Sequence, residues 1–156
     1  TWSDAAAWRR WLDDASDDQV AVLAGRVAAA SGEFSQLTTE RVGEILRPGQ
    51  RGSARDKARA EYLALWLDLA SARLGFDTVA DVGDARPLVP SADSDGQTSI
   101  LALARDMDAL FASGTGDWAS VRRLCSGASA EIVEAPGSAS SASGSGGGGN
   151  GNGGRR

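Results

Sequence analysis

Ala60-Glu61-Tyr62-Leu63-Ala64-Leu65-Trp66-Leu67-Asp68-Leu69-Ala70-Ser71-Ala72-Arg73-Leu74-Gly75-Phe76 is the stretch on which the fold turns. Projected at roughly 100° per residue, Leu63, Leu67, Ala70 and Leu74 share one side of a helix. Tyr62, Leu65, Trp66 and Leu69 carry that surface further round. A narrow strip of Glu61, Ala64, Asp68 and Ser71 remains for solvent. An apolar arc this wide predicts a helix wrapped by neighbours. Ser53-Ala54-Arg55-Asp56 ahead of it reads as a capping box with Asp at the fourth position. Gly75 is the expected left-handed stop. The central helix is therefore placed at about 53–74.

Shorter amphipathic stretches flank it on both sides. Ser3 is the expected cap of a helix running to about Asp14, with Trp8, Trp11 and Leu12 inward and Arg9 and Arg10 solvated. Asp17 or Asp18 opens a second helix, in which Val20, Leu23, Ala24 and Val27 face the core. Thr38 caps a third, with Val42, Ile45 and Leu46 inward, and Pro48-Gly49 stops it. Beyond the central helix, 76–82 reads as extended chain and 83–97 as a loop. Gln97 or Thr98 begins a fifth helix through Phe111, and Gly114-Thr115-Gly116 breaks it. Asp117 caps a sixth, from Trp118 to about Ser126. Residues 130–134 fit a turn or a short strand. The expected fold is all-α: a compact bundle of about five to six helices around the central one. Residues 1–135 form its single domain. Residues 136–156 are Gly, Ser, Ala and Asn with a closing Arg155-Arg156, a composition that predicts a disordered tail.

Composition narrows the chemistry. The 156 residues contain no histidine, which removes the commonest general base and metal ligand. The single cysteine, Cys125, permits no intrachain disulfide. Net charge is −5, which disfavours nucleic acid and anionic membranes at long range. No apolar run is long enough to cross a bilayer. Opening on Thr1, without an initiator Met or signal peptide, the chain reads as a processed piece of something longer.

The carboxylates Asp13, Asp14, Asp17, Asp18, Asp106 and Asp108 fall at helix ends or polar faces, where capping and solvent account for them. Asp93-Ser94-Asp95-Gly96 hints at a calcium loop, but the ninth and twelfth positions hold Leu101 and Ala104. An Asx-turn is the better reading there. Asp77, Asp81 and Asp84 form a looser acidic cluster that could take calcium weakly. Leu37 to Leu46 looks like the first helix of a helix-turn-helix, within a basic segment at 38–59. No polar recognition helix follows within a short turn. Cys125 is apolar-flanked and reads as a core thiol. No catalytic, cofactor-binding or metal-ligating residue is assigned.

Phe34, Leu37-Thr38-Thr39-Glu40-Arg41-Val42 and Ile45-Leu46, followed by a Pro/Gly link and the stretch Ala60–Gly75 with Asp77-Thr78, resemble a helical module near the C-terminus of large secreted or surface-exposed bacterial and archaeal proteins. Those proteins often also carry PKD or other Ig-like β-sandwich repeats. The resemblance covers about residues 34–82. The family's helix reads Leu-x-Leu-Asn-x-Ala-Ser-Gly-x-Leu; here Asp68 replaces the Asn and Ala72 the Gly. It implies a non-enzymatic structural or interaction module, extracellular or at the cell surface. The implied partners are other domains of the same polypeptide or surface proteins. The alternative, from the residues alone, is a DNA-associated regulatory module using 38–59.

Overall fold

A computed structural model describes residues 2–133. The expected tail, 136–156, lies outside the described residues. Six α-helices form the body: α1 (Ala5–Asp14), α2 (Asp17–Ala30), α3 (Thr39–Leu46), α4 (Ala54–Ala70), α5 (Ile100–Ser113) and α6 (Trp118–Cys125). Three short strands, β1 (Val79–Asp81), β2 (Gln97–Ser99) and β3 (Glu131–Val133), and a 3-10 helix over Gly83–Leu88 complete it.

The central helix is α4, which packs against α1, α2, α3, α5 and α6. Every residue from Tyr62 to Leu69 is buried. The expected wet strip therefore does not exist in that form. Asp68 and Ala64 are fully buried, while Glu61 and Ser71 are half-buried. Helical projection ranks faces by polarity, but neighbours arriving from distant parts of the chain decide which face is covered. Here the N-terminal turn and α1 close over the polar strip. Ser53 and Asp56 form the expected capping box.

The far end of α4 differs from expectation. The helix stops at Ala70, and Ser71 is its C-cap. Leu74 N–H then reaches back to the Asp68 carbonyl at 3.1 Å and Ala72 N–H to that of Leu69 at 3.1 Å. The left-handed residue in this stop is Ala72, at φ 62, not Gly75. A helix closed this way normally uses glycine, because a Cβ clashes there.

Two other starts moved by one or two residues. Asp4, not Ser3, caps α1 by accepting from Ala7 N. Ser16 caps α2 in a reciprocal box with Gln19, which leaves Asp17 and Asp18 in the first turn, where the helix dipole favours them. Thr38, Ser53 and Asp117 cap α3, α4 and α6 as the sequence predicts.

The all-α expectation is corrected by a small antiparallel sheet in the order β2-β1-β3. Ala80 pairs with Thr98 on one side and Ile132 on the other. Residues 97–99, expected to begin the fifth helix, are spent on β2, and Ser99 caps α5 at Ile100 instead. Strands of three residues are too short to show a period of two, so only their pairing reveals them. Within the expected 83–97 loop, Pro87 sits inside the 3-10 helix. Its tighter turns are anchored by Val82 N–H donating to Gly96 O at 2.8 Å.

Candidate functional site

The Asp68 carboxylate is the most unusual group in the fold. It sits in an all-apolar run, Leu65-Trp66-Leu67-Asp68-Leu69-Ala70, with no accessible surface. Its Oδ2 accepts from Ser3 N at 3.0 Å and its Oδ1 from Trp8 Nε1 at 2.9 Å. Both donors come from the N-terminal segment, 65 and 60 residues away in sequence. The Arg73 guanidinium lies 4.2 Å over the Trp8 ring and donates to Ser3 Oγ at 3.3 Å. Burial pushes the Asp68 carboxyl up to about 7, against the hydrogen bonds from Trp8 and Ser3 and the Arg73 charge, which pull it down.

Glu61 does the same work two turns earlier. Its Oε1 accepts from Ala5 N at 2.8 Å, and burial raises its carboxyl while that bond lowers it. Trp2 completes the attachment by donating from Nε1 to Cys125 O at 2.9 Å. Its ring lies so close over Gly127 that a Cβ there would come within 2.7 Å of it. Residues 2–8 are thus a clasp fixed to α4 and to the end of α6. It leaves Asp68 sealed from any substrate, so the group is placed to hold structure rather than to react.

A second polar cluster lies at the middle of α4. Tyr62 Oη donates to Asp108 Oδ1 and to Ala104 O, the latter at 2.9 Å. Asp108 also accepts from Ser31 Oγ at 2.7 Å and Gly32 N at 2.8 Å. Burial, then the Asp108 carboxylate, hold the Tyr62 phenol far above its usual range. This corrects the expectation that capping and solvent account for Asp108. It ties α5 to the end of α2. Tyr62 also stacks on Phe111 at 4.9 Å, and Phe111 meets Trp118. Helical position makes Trp66 the expected partner for the aromatic side chains of the first helix or of 118–125; the column forms on Tyr62. Trp66 joins none of these aromatic pairs; it lines a surface groove with Arg26, Ala30, Leu69 and Phe76, and its Nε1 finds no hydrogen-bond acceptor among the described residues.

The remaining candidates fall out as follows. Asp13 pairs with Arg47 at 3.0 Å. Asp106 accepts from Ser91 N. Asp93 Oδ1 accepts from the N–H groups of Asp95 and Gln97, the expected Asx geometry. Asp81 Oδ1 accepts from Gly83 N. Among the described residues no three His, Cys, Asp or Glu side chains gather as a metal site, and Asp77, Asp81 and Asp84 are not brought together as one. Cys125 is fully buried, and burial raises its thiol further from the reactive thiolate.

The basic segment 38–59 is largely consumed by the protein itself. Arg59 pairs with Glu33 at 2.6 Å and Arg55 with the same carboxylate at 3.9 Å. Their guanidiniums stack on Phe34 and on Phe111 and Trp118. Arg41 pairs with Glu44 on the surface. Sequence reasoning missed Asp68. The available signal was a lone acid flanked by leucines in a helix apolar almost all round, with buried-looking indoles elsewhere to serve as donors.

No protein-family model, curated protein or solved structure matches this chain. No helix among the described residues is long and apolar enough to cross a membrane.

Proposed function

We propose that this chain is a non-enzymatic structural or interaction module of a secreted or cell-surface protein, working alongside other domains of the same polypeptide or other surface proteins. The observation that carries the non-enzymatic part is the use made of Asp68. Asp68, a buried carboxyl whose proton affinity reaches the neutral range, is closed under the N-terminal clasp with each oxygen engaged, by Ser3 and by Trp8. General acid–base work requires such a group to face a cleft. Tyr62 and Cys125 are likewise committed to the interior. The surface location rests on the resemblance of residues 34–82 and on the acidic composition.

Protease shaving of intact source cells tests the location. Peptides of this chain should be released without lysis; release only after lysis would overturn the reading. The DNA-associated alternative is disfavoured by the pairing of Arg47, Arg55 and Arg59 with carboxylates of the chain itself. A retarded duplex in a low-salt mobility shift, with affinity falling steeply as salt rises, would reinstate it.

A further inference from the structure

Several guanidiniums among the described residues are spent. Arg9 donates to Leu46 O, Arg26 to Ala70 O and Arg73 to Ser3 Oγ, and Arg47, Arg55 and Arg59 are paired with carboxylates. Lys57, Arg122 and Arg123 are not spent, and what separates them from the other unpaired cations among the described residues, Arg10, Arg51, Arg86 and Arg105, is that they stand together. Among the described residues none of the three makes an ion pair or a side-chain hydrogen bond. Yet all three line one groove of about 510 Å³ between α4, α6 and the turn that precedes α1. Lys57 stands one helical turn from Glu61, and Arg122 is near enough to influence that carboxyl electrostatically, but neither comes within pairing distance of it.

The two acids of the groove are occupied. Asp4 caps α1 through Ala7 N, and Glu61 holds Ala5 N. Trp118 is half-buried, its ring backed by Phe111 and the Arg55 guanidinium, so it forms a rigid wall. The cavity lies within the size range of small-molecule sites and is far larger than one bare ion needs.

We propose that this groove binds a small polyanion, a ligand that presents two or more phosphate or carboxylate oxygens to Lys57, Arg122 and Arg123 and lays its body against Trp118. Charge-assisted bonds from arginine to such oxygens are among the stronger hydrogen bonds available at a surface. The protein's overall negative charge gives such a ligand no long-range attraction, so the contacts themselves must supply the affinity. The inference is independent of the cellular location proposed above.

Titration calorimetry with sodium pyrophosphate and with sodium citrate tests it on the full chain at low salt. One-to-one binding of at least one anion is expected. The double variant Lys57→Gln/Arg122→Gln should weaken it by about tenfold or more. A control with the same charge change at exposed arginines that do not line the groove, Arg41→Gln/Arg105→Gln, should weaken it by less than about twofold, since solvent and salt screen exposed charges outside a binding site. Circular dichroism checks that each variant is folded. Should the site double unfold, Arg123→Gln alone carries the test, with a loss of about threefold or more expected. No heat with either anion at millimolar concentration, or equal losses in site and control variants, would overturn the proposal. Preference for one anion over the other would say which oxygens the site takes.

Discussion

Asp68 and Asp108 are two answers to one problem, a carboxylate drawn into the interior. Asp108 is half-buried and takes three protein donors, from Tyr62, Ser31 and Gly32. Asp68 is fully buried and takes two, one on each oxygen, both from the N-terminal clasp. The first links elements that already pack, α2, α4 and α5. The second, with Glu61 and the Trp2 indole, holds the N-terminal segment onto α4 and α6. Donor number and exposure together set how costly the charge is. By that rule the clasp is the region where a single change should be felt most.

The largest effect is therefore expected at Trp8. Its side chain is fully buried, donates to Asp68 and supports Arg73. Trp8→Ala should cost about 3–5 kcal/mol, the range for deleting a large buried aromatic. It also leaves Asp68 with one donor. Chemical denaturation against the wild type measures this, and a loss below about 1 kcal/mol would show that the clasp is not anchored there.

Next comes Asp68→Asn. An amide offers one acceptor oxygen where two N–H groups need one each, so its NH₂ must face a donor. A cost of about 1–3 kcal/mol at neutral pH is expected. A near-neutral outcome would mean that Asp68 is solvated after all. The same variant isolates a pH effect. Asp68 titrates at about 7 in the fold, against an ordinary 3.8. The folded chain thus holds a proton between those values that the unfolded chain has released. The contribution of Asp68 to stability is fully present below about pH 4, falls as pH rises toward 7, and levels off above it. The difference in melting temperature between wild type and Asp68→Asn should follow that course. A difference that grows in the opposite direction would reverse the assignment.

Tyr62→Phe is the matching change at the other carboxylate. Phe keeps the stack on Phe111, and Asp108 keeps Ser31 and Gly32. The loss of one hydrogen bond to a charged group should cost about 1.5–3 kcal/mol at most, and less where solvent can replace the hydroxyl. If it exceeds the loss from Trp8→Ala, the comparison between the two clusters is inverted.

How much of this could be read in advance follows from the range of each interaction. The wrapped character of α4 and the caps at Thr38, Ser53 and Asp117 are local, set by residues within one turn, and they were legible. The burial of Asp68 was not, because Ser3 and Trp8 lie 60 or more residues away and helical spacing alone marks any acid as outward. The sheet escaped for a related reason. Gln97-Thr98-Ser99 has helix-start chemistry, and Ser99 does cap α5; only the arrival of β1 makes the residues before Ile100 a strand. Trp66 is buried as its helical position predicts, but the aromatic column forms one turn earlier, on Tyr62.

The smallest expected effect is a gain, and it lies just beyond the clasp's anchor. Ala72 holds φ 62 in the stop that follows α4. A left-handed conformation costs an L-residue roughly 1–2 kcal/mol through the clash of its Cβ, whereas glycine adopts it freely. Two terms then oppose each other in Ala72→Gly. The folded state loses that strain, while the unfolded chain gains conformational freedom, which costs about 0.4–1 kcal/mol. Ala72 is exposed, so little packing is forfeited. The balance is a stabilisation of about 0.5–1 kcal/mol. The same strain predicts that Ala72→Val, whose branched side chain tolerates positive φ least, destabilises the chain. Measuring both separates backbone strain from side-chain burial. If Ala72→Gly destabilises and Ala72→Val does not, the methyl group is packed rather than strained, and the stop after α4 is held by something other than its backbone geometry.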